Sequence, residues 1–290
     1  DIALDNQGNL VMTGFFSGTR DFDPGPGTFF LTTATSSASY ISKLDGDWSF
    51  LNAWMVSDGT GTYGAGITNS LAVSSSNEIL VTGNYSDSTD FDPSPGTDIH
   101  YSFGGSNDAF VQKWDGAGNL QWTVSYGRNQ SEIGYEIDVD AGGNVYVAGH
   151  FSHFTDLDPS PANALFTGFG DIDIFVQKLD PSGNFVWGRT LGNLREDQLF
   201  DLSVDDYGNV AICGQKRCSH QATYQVDTIG IPYGSIPTNP CQPSSNYSDF
   251  LVRLDQGGGV SWFPISTWAK DVTHDDQGSL YSTCLLYTSP

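Results

Sequence analysis

Basic residues are scarce in this chain. Its 290 residues include 11 Lys and Arg against 34 Asp and Glu, a formal net charge of −23. That balance sets aside nucleic acid and anionic membrane surfaces as partners, because phosphate binding runs on Lys and Arg. Long apolar runs are missing too: none approaches the ~18 residues that a membrane-spanning helix needs, so no membrane insertion is expected. No window carries an apolar stripe at the 3.6-residue helical period, which argues against helices. Cysteines are few, at Cys213, Cys218, Cys241 and Cys284, and their spacing fits no zinc motif. Cys218 and Cys241 flank a Pro-, Gly- and Ser-rich insertion and are a candidate disulfide, the alternative being free thiols. A bridge closing such a loop contributes roughly 3 kcal/mol in the chain-entropy model. G-x-S-x-G, P-loop and H-E-x-x-H signatures are absent, so no enzyme class is indicated. No signal peptide is visible, and the opening on strand-like "DIALD" leads us to expect a fragment of a longer chain.

What the chain does have is glycine, 34 residues of it, and aromatics at 13%, in short alternating apolar stretches. This is the profile of an all-β chain with many tight turns. Self-similarity then sets the architecture. A turn followed by a strand recurs as "LDNQGNLVMTG" (4–14), "VSSSNEILVTG" (73–83), "VDAGGNVYVAG" (139–149) and "VDDYGNVAICG" (204–214), and begins again at "HDDQGSLYSTC" (274–284). The closing glycines, Gly14, Gly83, Gly149 and Gly214, are spaced 69, 66 and 65 apart. A second anchor follows in each unit, as in "DAFVQKWDGAGNLQW" (108–122) and "DIFVQKLDPSGNFVW" (173–187). It aligns Tyr40, Phe110, Phe175 and Phe250, then Lys43, Lys113, Lys178 and Arg253, then Trp54, Trp122, Trp187 and Trp262.

Each unit reads as four strands. In the third they are "EIDVD" (136–140), "NVYVAGHF" (144–151), "DIFVQKLD" (173–180) and "FVWGRTLG" (185–192). Four-stranded units repeating every ~65 residues are the pattern of β-propeller blades, whose two faces are buried only when blades stack. The repeats divide into blades 1–67, 68–137, 138–202 and 203–273 with a partial fifth at 274–283. Four complete blades and the start of a fifth suggest an open arc of a larger ring. The repeated tryptophans are expected to be buried between blades.

The segments "GYEIDVDAGGNVYVAGHF" and "DIFVQKLDPSGNFVWGRTLG" resemble the SBBP family, the β-propeller repeats of bacterial secreted and cell-surface proteins. The resemblance covers residues 1–283 and implies an extracellular or cell-surface location. Two units depart from it: residues 215–245 replace one connection with the cysteine-containing insertion, and Asn77 stands in place of a turn glycine. The terminal "CLLYTSP" (284–290) resembles a translated sequencing adapter and is expected to be a non-native tail.

An acidic cassette remains: "DFDPGPG" (21–27), "DFDPSPG" (90–96) and "DLDPSPA" (156–162). Two readings stay open. Asp before Pro makes a stiff Asx-type turn. Alternatively Asp21 with Asp23, Asp90 with Asp92 and Asp156 with Asp158 hold Ca²⁺, since D-x-D puts both carboxylates on one side of an extended chain. Ca²⁺ is thus the one cofactor the sequence suggests. The expected function is a non-enzymatic binding or structural propeller for a protein or glycan ligand. The alternative is the propeller portion of a secreted hydrolase or lyase, because the fold hosts both.

Overall fold

The structure is a computed structural model and describes residues 1–59, 66–92, 96–128, 130–192, 195–217, 224–227, 234–236, 247–262, 269–275 and 277–284. Among these the chain is all-β, with one 3-10 turn at Phe103–Gly105. The strands form four-stranded antiparallel sheets in simple sequence order, as propeller blades do. The first blade is Ile2–Leu4, Leu10–Phe16, Ala38–Leu44 and Phe50–Gly59; the second is Ile67–Val73, Ile79–Tyr85, Asp108–Trp114 and Leu120–Tyr126. The third is Glu132–Val139, Val145–Phe151, Asp173–Leu179 and Phe185–Gly192; the fourth is Asp197–Val204, Val210–Arg217, Tyr247–Leu254 and Val260–Trp262. Ala269–His274 and Leu280–Cys284 open a fifth. First strands thus begin a few residues ahead of the borders read from the turns. The last strand runs through Cys284, and 285–290 lie outside the described residues.

By contacts the chain divides into two compact units, residues 1–137 and 138–290. In the first, Val11, Ile41 and Val56 of blade one pack against Leu71, Val81, Phe110 and Trp114 of blade two. In the second, Tyr146, Ile174, Val176 and Trp187 of blade three pack against Leu202, Ile212, Phe250 and Leu254 of blade four. The same unit buries Ala211, Cys213 and Leu251 against Ala269 and Val272 of the fifth repeat. Successive strand residues point to opposite faces. Ile79 and Leu80 are each 1% exposed, so both faces of blade two are covered. Each fully buried aliphatic side chain contributes about 1.5–3 kcal/mol.

The hairpin turns share one chemistry. Asp5 Oδ1 accepts from the backbone N–H of Gln7 (2.9 Å) and Asn9 (2.8 Å), and Asn9 Nδ2 donates to Asp5 Oδ2 at 2.8 Å. The same set recurs at Asp115/Asn119, Asp140/Asn144, Asp180/Asn184 and Asp205/Asn209. The residue before the Asn takes a left-handed backbone, φ +78° at Gly8 and +79° at Gly143, which glycine adopts without strain. Asn77 fills this place in blade two at φ +62° and Trp48 in blade one at +65°.

The strand-three base closes the first turn of its own blade. Lys43 Nζ lies 2.7 Å from Asp5, Lys178 3.8 Å from Asp140, and Arg253 3.4 Å from Asp205. Blade two has Ser74 in place of the Asp, yet Lys113 finds Glu78 at 2.8 Å. Ser74 Oγ accepts the turn amides of Ser76 and Glu78, while Glu78 sits where the other turns have Asn. The carboxylate has moved four residues along the turn and kept its cation. Burial works to raise the Asp5 pKa, but Lys43, Asn9 and the turn amides outweigh it and hold that carboxyl far below its usual range.

Candidate functional site

The cassettes sit on the connections from strand two to strand three, each built as a small hairpin. Thr19–Asp21 pairs with Phe30–Thr32, Ser88–Asp90 with Ile99–Tyr101, and Phe154–Asp156 with Leu165–Thr167. Where described, all three make the same first-Asp hydrogen bonds. Asp21 Oδ1 accepts from Asp23 N (3.1 Å) and Phe29 N (2.8 Å). Asp90 Oδ1 accepts from Asp92 N (3.0 Å) and Asp98 N (2.8 Å), and Asp156 Oδ1 from Asp158 N (3.2 Å) and Ala164 N (2.7 Å). Asp23 Oδ1 accepts from Gly25 N and Asp158 Oδ1 from Ser160 N, at 2.7 and 2.8 Å. The residues after Asp92, 93–95, lie outside the described residues. Among the described residues, no three His, Cys, Asp or Glu side chains gather into a metal-holding set.

The middle residue of each D-x-D carries a role that sequence reading passed over. An extended chain puts the two Asp on one side and the apolar residue on the other. Phe91 and Leu157 are fully buried, and Phe22 half-buried. The Phe91 ring stands 4.7 Å from Phe110, 5.1 Å from Tyr85 and 5.3 Å from His100. Its carbonyl accepts from Gln112 Nε2 at 2.7 Å, and Gln177 Nε2 makes the same bond to Leu157 O. Blade four has no cassette and has Val252 at the Gln position. The glutamine accompanies the plug in blades two and three, while blade one carries its half-buried plug Phe22 with Ser42 at that position.

Two connections also join a preceding blade. Asp58 and Gly59 at the end of blade one pair with Asp90 and Thr89. Thr190–Gly192 at the end of blade three pair with Gln225–Asp227 of the insertion. The insertion has lost the cassette sequence and kept its sheet-extending role. Cys218 and Cys241 lie outside the described residues, and Cys213 is a buried free thiol.

The tryptophans differ more than their alignment suggests. Trp187 is buried, whereas Trp122 and Trp54 are half-buried. Lys113 and Lys178 face Trp122 and Trp187 across the sheet, while Lys43 faces Asn52 and Trp54 faces Ile41, two residues away. Trp262 lies in the fourth strand of its blade; its side chain is outside the described residues.

On the turn side of blade four, Tyr207, Asn209, Asp255, Gln256 and Gly257 line an open cleft of about 630 Å³. Its wall is fixed from blade three. Trp187 Nε1 donates to Gln256 O at 3.0 Å; Arg189 Nε donates to Gly258 O at 2.7 Å and a terminal Arg189 nitrogen to Gly257 O at 3.1 Å. Asp255 Oδ1 accepts from Gly257 N and Gly259 N. Gly259 stands where Asn119 and Asn184 close Oδ2 in the equivalent turns, so Asp255 lacks that closing amide. Tyr207 is 68% exposed. The sequence offered a sign of it: Gln7, Ser76, Gly142 and Gln277 hold this turn position elsewhere, and blade four alone places an aromatic ring there.

No family model matches the chain. It is 24% identical over 186 residues to an uncharacterized WD repeat-containing protein of Acanthamoeba polyphaga mimivirus, covering 57% of this chain and 13% of that protein. It is 25% identical over 126 residues to the regulatory protein FlaEY of Caulobacter vibrioides, covering 43% of this chain and 13% of that protein. The matched segment thus spans only a small part of either relative. Among solved structures, a protein of unknown function from Bacteroides caccae aligns over 86% of this chain and 92% of its own length, at 12% identity and a TM-score of 0.20. The match to a WD repeat-containing protein, together with the four-stranded sheets, points to a propeller-like repeat.

Proposed function

We propose that this chain is a non-enzymatic binding or structural module of the SBBP type, secreted or displayed on a bacterial surface, with a protein or glycan as ligand. The cleft between the two blade-four turns carries this reading. It sets an open tyrosine ring beside two amide side chains and a carboxylate, on a wall fixed by Trp187 and Arg189. An aromatic face receives the C–H side of a sugar or an apolar peptide side chain, and planar polar groups receive hydroxyls or amides. The first-turn carboxylates Asp5, Asp140 and Asp205 are engaged by their own turns and strand-three bases, which supports a framework role for them. Titration of the full chain with neutral oligosaccharides and short peptides, read by NMR, is expected to shift the Tyr207 ring resonances. Binding that survives Tyr207→Ala and Gln256→Ala unchanged, or no binding from either panel, sinks the assignment of the cleft.

In this reading the cassettes are loop fasteners. Calorimetric titration with Ca²⁺ is expected to release no heat, and millimolar Ca²⁺ to leave the melting temperature unmoved. Saturable heat that disappears in Asp90→Asn overturns the fastener role.

A further inference from the structure

The face of blade one that points away from blade two is apolar and open. Strand pairing sets Ile2 beside Met12, Leu4 beside Leu10, and Gly14 beside Tyr40, all on that face. Ile2 and Leu4 are each 66% exposed. The repeat supplies the comparison. Leu71 and Leu202 occupy the place of Ile2 in blades two and four and are 5% and 6% exposed. Ile79 and Val210 replace Leu10, Val81 and Ile212 replace Met12, and Phe110 and Phe250 replace Tyr40; all of these are buried. In blade two the cover is the opposite face of blade one, and in blade four that of blade three. The half-buried plug Phe22 lies on the same open face, against Phe16 and Tyr40, where its counterpart Phe91 is fully enclosed.

A polar rung agrees with the apolar pattern. Asp1 of blade one accepts from Leu71 N of blade two at 2.9 Å. Asp138 accepts from Val204 N and Asp201 from Val272 N, both at 2.7 Å. Ile137 N of blade three is held by Ser70 Oγ of blade two at 3.3 Å, so each following first strand has an amide held by an acid or hydroxyl of the blade before it. Ile2 N, at the place of Leu71, is held by its own neighbour, Asp1 Oδ1, as Leu202 N of blade four is by Asp201 Oδ1.

We infer that the open face of blade one is a blade-docking surface, and that its occupant is a further blade of this same repeat. That blade presents a flat face of Ala, Val and Ile with a strand-four Trp, as Ala3, Val11, Ile41, Val56 and Trp54 do for blade two. It also brings an acid or hydroxyl to the amides of the Ile2–Leu4 strand. Continuity with the interface already formed between blades one and two identifies the occupant, since the two surfaces follow the same pattern position by position.

The test adds one repeat to the full chain. A copy of residues 70–135, placed directly ahead of Asp1, is in register because Ser70 and Glu136 both align with Asp1. Hydrogen exchange is read at the amides of Leu10–Phe16, with and without the copy. Protection there is expected to rise at least tenfold, and dye binding to exposed apolar surface to fall. The double substitution Ile2→Asp, Leu4→Asp is expected to leave the unextended chain unchanged and to abolish the gain in the extended one. Unchanged protection at Leu10–Phe16 overturns the inference whether or not the copy folds, since this face would be the copy's support. A concentration-dependent dimer of the unextended chain that buries Ile2 overturns it as well, because the occupant would then be a second copy.

Discussion

Truncating the buried cassette plug, Phe91→Ala, separates a structural cassette from one built around its acids. Phe91 has no exposed surface and packs against three rings within 5.3 Å. Removing such a side chain costs about 3–5 kcal/mol, the lost transfer energy plus that of the cavity. The hydrogen bond from Gln112 survives, because it goes to the Phe91 carbonyl. Phe22 provides the internal control. It has the same place in blade one and similar ring neighbours, Tyr40 at 4.7 Å and Phe16 at 5.3 Å, but is only half-buried. Half the buried area gives Phe22→Ala a cost of about 1.5–2 kcal/mol. Repeat arrays need not unfold in one step, so a single global midpoint is a poor readout. Native-state hydrogen exchange at Ile79–Tyr85 and at Leu10–Phe16 gives the opening free energy of each blade. A Phe91→Ala loss below about 1.5 kcal/mol, or equal losses at the two sites, would refute the plug.

Three further outcomes follow from the turns and the buried acids. In blade two, Glu78→Asn alone is expected to lose about 1–3 kcal/mol by leaving Lys113 without its carboxylate, while Ser74→Asp with Glu78→Asn rebuilds the turn of the other blades and returns most of it; chemical denaturation checks this, and additive losses refute the swap. Trp48→Gly is expected to stabilise by about 0.5–1 kcal/mol, since an exposed Trp at φ +65° carries left-handed strain that exceeds the entropy cost of a new glycine. Burial pushes Asp108 up to about 7 and Asp173 up to about 6, from an ordinary 3.8. The folded chain then holds protons that the unfolded chain has released, so their contribution falls as pH rises from about 4 to about 7. His150 opposes them: burial lowers it to about 4, so its contribution falls as pH drops below 6.5. Asp108→Asn, which mimics the protonated form, should therefore gain more stability relative to the parent at pH 7.5 than at pH 4.5, by urea midpoints; an equal change at both removes the assignment.

The sequence by itself determined the all-β class, the four-stranded repeat and the turn chemistry. These are local properties: alternation sets which side chains share a face, and an Asp with Gly and Asn three and four residues on closes a hairpin through its own side chains. The pairing of Lys43, Lys178 and Arg253 with a first-turn acid was within reach of the alignment, because every unit carries both a strand-three base and an acid in its first turn; in blade two the acid shifts and the cation stays. Tertiary structure alone decided how deep each repeated residue lies. Trp187 and Trp122 stand at one repeat position, yet one is buried and the other half-exposed, and the same holds for Phe91 and Phe22. Burial of a sheet face depends on what the next sheet presents, and a sequence read one strand at a time carries no record of its neighbour. The cleft at Tyr207 has the same origin. Tyr207 and Asn209 sit on one turn of blade four and Asp255 and Gln256 on the other, and the second turn is fixed by Trp187 and Arg189, about seventy residues from the backbone they bind.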